Sequence, residues 1–142
     1  MTNIREAIAR GREARRQRDF PLARAQYAEA AGIFRDQNDS LSYAHTIRHI
    51  ADIHQQERNL IEARPLYEEA LEIYRSNLDT KLLDLANTVR PYALLEEQLG
   101  NLEKAKTLWE EAGNLYGSLR IEAGVLECEN HVRKLKQSLH PD

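Results

Sequence analysis

Asp19-Phe20-Pro21-Leu22-Ala23, Asn59-Leu60-Ile61-Glu62-Ala63 and Asn101-Leu102-Glu103-Lys104-Ala105 are three copies of one phrase, spaced 40 and 42 residues apart. Each copy is followed by an aromatic (Tyr27, Tyr67, Trp109), an alanine (Ala30, Ala70, Ala112) and a second aromatic (Phe34, Tyr74, Tyr116). A repeat of this length is one supersecondary unit that cannot bury its apolar face alone, so copies stack into a solenoid with a long exposed surface. The chain therefore points to binding rather than to chemistry.

Each unit reads as two helices. Ala44, Ile47, Ile50, Ala51 and His54 recur at helical spacing before the second copy of the phrase, and Ala86, Val89, Tyr92, Ala93 and Glu96 match them before the third. Asp19, Asn59 and Asn101 are placed to cap the second helix of each pair, with Asn59 and Glu62 spaced as an N-cap and N3. Asp39 or Ser40, and Asp79 or Thr80, are candidate caps for the first helices that follow. Gly100 suits a left-handed C-cap, where Arg18 and Arg58 stand in the other units. The pattern predicts helices near 3–17, 20–36, 41–57, 60–76, 81–98, 102–117 and 121–138. Pro91 falls inside the fifth; the periodicity on both sides argues for a helix kinked there rather than broken. The first unit is the least regular, because Arg10 and Ala7 stand where Ile50/Tyr92 and Ile47/Val89 stand in the others. The expected fold is an all-α solenoid of three helix pairs (about 3–37, 41–77 and 81–118) with a C-terminal capping helix (about 121–138), all within one domain. The stripe Val125, Cys128, Val132, Leu135 and Leu139 would cover the end of the stack, with Arg133, Lys134, Lys136 and Gln137 in solvent.

No apolar run approaches the length of a membrane span, and the first eleven residues lack a secretory core, so a cytoplasmic location without membrane attachment is the default expectation. The single cysteine rules out an intramolecular disulfide. The net charge of −3 hides an asymmetry, since residues 1–35 hold eight Arg against four acids. Such a patch can steer an anionic partner.

The phrases Asn59-Leu60-(x2)-Ala63-(x3)-Tyr67-(x2)-Ala70 and Gly100-Asn101-Leu102-(x2)-Ala105-(x3)-Trp109-(x2)-Ala112 resemble the second-helix signature of tetratricopeptide repeats. The segments 63–71 and 85–95 look like the longer-repeat branch of that family, related to kinesin light chain. The resemblance covers about residues 4–117 and implies a TPR-like α-solenoid whose first helices line a concave groove that receives peptides. Fold alone does not name a partner.

Seven of the nine aromatics lie at seven-residue steps on the second helices, which makes them inter-helix core and leaves few to stack on bases. That argues against nucleic acid. His45 and His49 are one turn apart with Asp52 on the same face, a spacing at which a metal could bind. Thr46 stands where a zincin would need its glutamate, however, so the pair is read as two polar residues of an exposed face. Cys128 and His131 lack a third orienting group, and Cys128 lies on an apolar stripe; it reads as a buried thiol. Gly113 and Gly117 are read as permitting close approach of the last two helices. No catalytic constellation, metal site or cofactor motif emerges, and the chain is read as non-enzymatic.

What remains is a polar stripe on the first helices: Arg5 and Arg12 in the first unit, His45, Arg48, His49 and Asp52 in the second, Asn87, Arg90 and Leu94 in the third. These are the candidate groove residues, with Arg48 and Arg90 expected to be exposed and able to hold carboxylates by charge-assisted bonds. The plainer alternative is a solvated face in which Arg48 and Asp52 form an i,i+4 pair. The expected function is recognition of a protein or peptide segment, acidic or C-terminal. The alternatives are an anionic ligand or RNA on the Arg-rich first helix, and self-association through the repeat ends.

Overall fold

The computed structural model describes residues 3–141. It holds seven helices and, among the described residues, no strand: α1 (Ile4–Arg16), α2 (Phe20–Asp36), α3 (Ser40–Gln56), α4 (Leu60–Ser76), α5 (Leu82–Gln98), α6 (Leu102–Ser118) and α7 (Glu122–Leu139). Every expected boundary lies within one residue of the observed one. α5 is continuous across Pro91, and α4 across Pro65, an interior proline the repeat pattern had not flagged. The helices gather into two compact units, α1–α4 and α5–α7, dividing after Ser76. In the first, α1 packs on α2, α2 on α3 and α3 on α4; in the second, α5 packs on α6 and α6 on α7.

The turns share one construction. The amide of Arg58 donates to the Gln55 carbonyl (3.0 Å) and that of Asn59 to the His54 carbonyl (2.8 Å), which is a Schellman motif closing α3. Equivalent pairs of bonds close α1, α2, α5 and α6. The motif needs a left-handed residue, supplied by Gly100 (φ 86°) after α5 but by Arg18 (64°), Asn38 (57°), Arg58 (68°) and Arg120 (58°) elsewhere. The next residue already begins the following helix: Asp19 accepts from the Leu22 amide (3.3 Å) and Asp39 from the Ser42 amide (3.2 Å). Two expected caps differ. Lys81, not Asp79 or Thr80, is the N-cap of α5 and makes no side-chain cap bond. Asn101 turns its side-chain amide away to donate to Glu96 Oε2 at 2.7 Å.

The repeated alanines explain why the helices can sit so close. Ala23, Ala30, Ala63, Ala70, Ala105 and Ala112 are all 0% exposed, and the aromatics between them, Tyr27, Tyr67 and Trp109, are buried with them. Burying each such ring contributes on the order of 2–3 kcal/mol. Ala7, Gly11 and Ala14 form the buried stripe of α1, so the first unit keeps the register of the others. Arg10 is exposed there, whereas its counterparts Ile50 and Tyr92 are buried.

Candidate functional site

The polar stripe of the first unit begins with a small residue. A Cβ at Gly11 would lie 2.9 Å from Tyr27, so the absence of a side chain lets the Tyr27 ring settle on α1. On that ring stacks His49 of α3, with centroids 5.3 Å apart and planes 9° apart, while His45 meets His49 edge-on at 4.7 Å. His49 is thus mostly buried rather than an exposed polar residue. Desolvation, then the positive charges of Arg48, His45, Arg15 and Arg12, lower its pKa to about 3. It is a neutral imidazole at physiological pH, and its Nδ1 is buried without a hydrogen-bond partner.

Beside it, Arg48 is held rather than exposed, which corrects the expectation from sequence. Its Nη1 donates to Asp52 Oδ2 at 2.7 Å, and the two side chains are only 15% and 14% exposed. The opposite oxygen of Asp52 accepts from the Tyr67 hydroxyl at 2.5 Å, and Gln55 Oε1 lies 2.8 Å from that hydroxyl. A phenol has one proton, so the carboxylate takes it and the Gln55 amide serves the phenolic oxygen with its NH2. Burial and the Asp52 charge push the Tyr67 phenol far above its ordinary pKa. Asp52, the third ligand a metal at His45/His49 would need, is committed to Arg48 and Tyr67. Among the described residues no group of three or more His, Cys, Asp or Glu is placed to hold a metal ion. Arg12 and Arg15 approach from α1; Arg15 Nε donates to Gln56 on α3 at 3.2 Å, while Arg5 is exposed nearer the start of the helix.

In the second unit the stripe is also engaged, by partners the sequence did not announce. Arg90 donates from Nε and Nη2 to the two oxygens of Glu127 on α7, at 2.5 and 2.8 Å, a bidentate pair that raises the Arg90 pKa and lowers that of Glu127. Asn87 accepts from the Tyr116 hydroxyl at 2.8 Å, and Leu94 is half-buried. His131 of α7 lies flat on Trp109 at 3.9 Å with its Nδ1 2.9 Å from Glu97 Oε1, the same atom that accepts from Trp109 Nε1 at 2.9 Å. Imidazole on a second-helix aromatic is therefore a recurring device, His49 on Tyr27 and His131 on Trp109. Cys128 is 1% exposed and burial pushes its thiol up to about 11, which leaves little thiolate for nucleophilic chemistry. Gly113 does permit a close approach, since a Cβ there would lie 3.2 Å from that of Cys128; Gly117 is looser, 3.9 Å from Val125. A tighter contact that sequence reading missed is Gly124, where a Cβ would come within 2.5 Å of Tyr116.

Paired helices that cross on small residues, five of the seven closed by the same three-residue Schellman turn, define a helical-repeat protein. A tetratricopeptide repeat family model matches residues 7–76 and again 42–118, and the chain belongs to that family. Its fold class is the all-α helical-repeat solenoid, and repeats of this family generally mediate protein–protein interaction. Among solved structures it is similar to the crystal structure of BtubC (BKLC) from P. vanneervenii, with 22% sequence identity and a TM-score of 0.56 over 96% of this chain and 48% of that one. That likeness is one of fold, and the chain spans about half the length of that structure. No curated protein matches the chain. No helix among the described residues is long and apolar enough to cross a membrane.

Proposed function

We propose that the chain is a non-enzymatic recognition module that binds an acidic or C-terminal peptide segment on the first-helix face of α1 and α3. The observation that carries this reading is the group of cations around His49. Arg12, Arg15, His45 and Arg48 all act on that imidazole, and Arg48 has its carboxylate partner, Asp52, within the stripe. Neither Arg12 nor Arg15 forms an ion pair with any described carboxylate, so two guanidinium groups stand near a neutral, mostly buried imidazole without an internal acid of their own. A ligand carboxylate placed there gains charge-assisted bonds that compete with no internal acid. In the second unit the corresponding arginine is already taken by Glu127, so a ligand using Arg90 must first displace an internal carboxylate.

The rival reading, RNA on the Arg-rich first helix, has less support, because Arg10 pairs with Glu6 and Arg16 with Glu13 on the same surface. Affinity of the chain for an Asp/Glu-rich peptide with a free C-terminus, measured by fluorescence anisotropy against the same peptide amidated and against a single-stranded RNA, separates the readings. Arg12→Ala and Arg15→Ala are expected each to weaken the acidic peptide by about 1–3 kcal/mol. Unchanged affinity in both variants, or RNA binding tighter than the peptide at physiological salt, would refute the peptide reading.

A further inference from the structure

In the second unit, α6 and α7 leave an open groove of about 660 Å³, walled by Trp109, Gly113 and Gly117 on α6 and by Val125, Cys128 and Val132 on α7. The first unit shows what such a groove accepts. Tyr27 stands eight residues after the N-cap of α2, as Trp109 does in α6, and Ile50 stands eleven after that of α3, as Val132 does in α7. Tyr27 and Ile50 form a buried cluster with Ala14, Ala23 and Ile53, and Leu66 of α4 packs against that cluster together with Ile8 and Phe20. The α6–α7 groove has the same walls and no described helix in it.

Charge specifies the occupant further. Fifteen residues after the N-cap, the helices α3, α5 and α7 carry His54, Glu96 and Lys136. After α5 the third residue of the next helix brings the complementary charge, Lys104 of α6 lying 3.7 Å from Glu96; after α3 that place holds Glu62, whose charge opposes the larger effects of desolvation and Arg24 that lower the His54 pKa. Lys136 is exposed and forms no ion pair among the described residues. We propose that the α6–α7 groove docks an amphipathic helix of a partner protein, antiparallel to α7, with apolar residues at i, i+3, i+4 and i+7 and an acidic residue in its first turn beside Lys136. The chain's own helices of this kind, α2, α4 and α6, already bury their apolar faces within their units, which favours a partner over a second copy. The site is separate from the stripe around His49, and its test does not depend on that reading.

The probe is a hydrocarbon-stapled peptide of the α4 sequence, residues 60–76, with the staple replacing the exposed Glu68 and Glu72, titrated into the full chain. The fluorescence of Trp109, the sole tryptophan, reports occupancy of the wall it forms. Gly117→Leu fills the groove from an exposed helix position whose Cβ has room, and is expected to weaken the peptide by about 10-fold or more while the chain stays folded by circular dichroism. Lys136→Glu is expected to weaken it by a similar factor, and the Glu62→Lys peptide to restore binding to that variant. The proposal is overturned if the peptide does not bind saturably, if Gly117→Leu leaves affinity unchanged, or if the charge swap does not rescue. Concentration-dependent dimerisation abolished by Gly117→Leu would also overturn it, by assigning the groove to a second copy.

Discussion

Tyr67→Phe removes a single oxygen from the interior of the first unit, and its cost can be worked from the geometry. The ring is 0% exposed and its packing is untouched by the change, so no cavity term arises. What is lost is chiefly the 2.5 Å bond from the hydroxyl to Asp52 Oδ1, together with the weaker contact of the Gln55 amide with the phenolic oxygen. A hydrogen bond to a charged group is worth about 1.5–3 kcal/mol. Asp52 keeps Arg48 and is 14% exposed, so water replaces part of the loss and about 1.5–2 kcal/mol is expected. Asp52→Asn should cost more, roughly 2–3 kcal/mol, since it strands the mostly buried Arg48 charge; that lies between the values for exposed and fully buried pairs. The two changes share a bond and should not add, leaving a coupling of about 1 kcal/mol in a double-mutant cycle. Urea unfolding followed by circular dichroism measures all three variants. A Tyr67→Phe cost below about 0.5 kcal/mol, or strict additivity, would show that solvent screens the cluster and that the reasoning is wrong.

Other consequences can be measured alongside. Gly124→Ala should destabilise by about 1–3 kcal/mol despite alanine's better helix propensity, because its Cβ would lie 2.5 Å from the buried Tyr116 ring; Gly32→Ala, which meets nothing within 4 Å, should stabilise by about 0.5–1 kcal/mol in thermal melts. The depressed pKa of His49 means the unfolded chain binds the proton first, so its contribution to stability is complete above the ordinary histidine value near 6.5 and is lost as pH falls towards about 3. His49→Phe should flatten stability between those limits in urea titrations at a series of pH values. Arg58→Gly should stabilise by about 0.5–1 kcal/mol, since a non-glycine residue is strained at φ 68° and the position is exposed; a loss of stability would mean that the arginine side chain contributes more than its backbone costs.

The helices were legible because their signals are local and repeated: small residues at fixed steps, a capping residue after each turn, and one apolar period throughout. The site was legible only as a stripe. That Arg48 pairs with Asp52 could be read from their i,i+4 spacing, and was the plainer of the two readings weighed. Its burial could not, because it depends on Tyr67 arriving from another helix with a hydroxyl to satisfy. A buried aromatic with a polar tip needs a partner, and that rule applied to Tyr67, Trp109 and Tyr116 would have pointed to Asp52, Glu97 and Asn87. Arg90 is exposed as expected, but its pairing went unread because Glu127 lies on a helix read mainly for its apolar stripe. Lys81 as N-cap was missed for a different reason, since it offers no side-chain acceptor to recognise.

An amide NMR titration of the chain with the acidic, free-carboxylate peptide tests most directly whether the arginines around His49 form a recognition face. Perturbations are expected to centre on Arg12, Arg15, His45, Arg48 and His49, to weaken with added salt, and to vanish in an Arg12→Ala/Arg15→Ala double variant, while exposed Glu68 and Glu110 stay unshifted. Shifts centred on Glu68 or Glu110, or an undiminished titration in the double variant, would contradict the account.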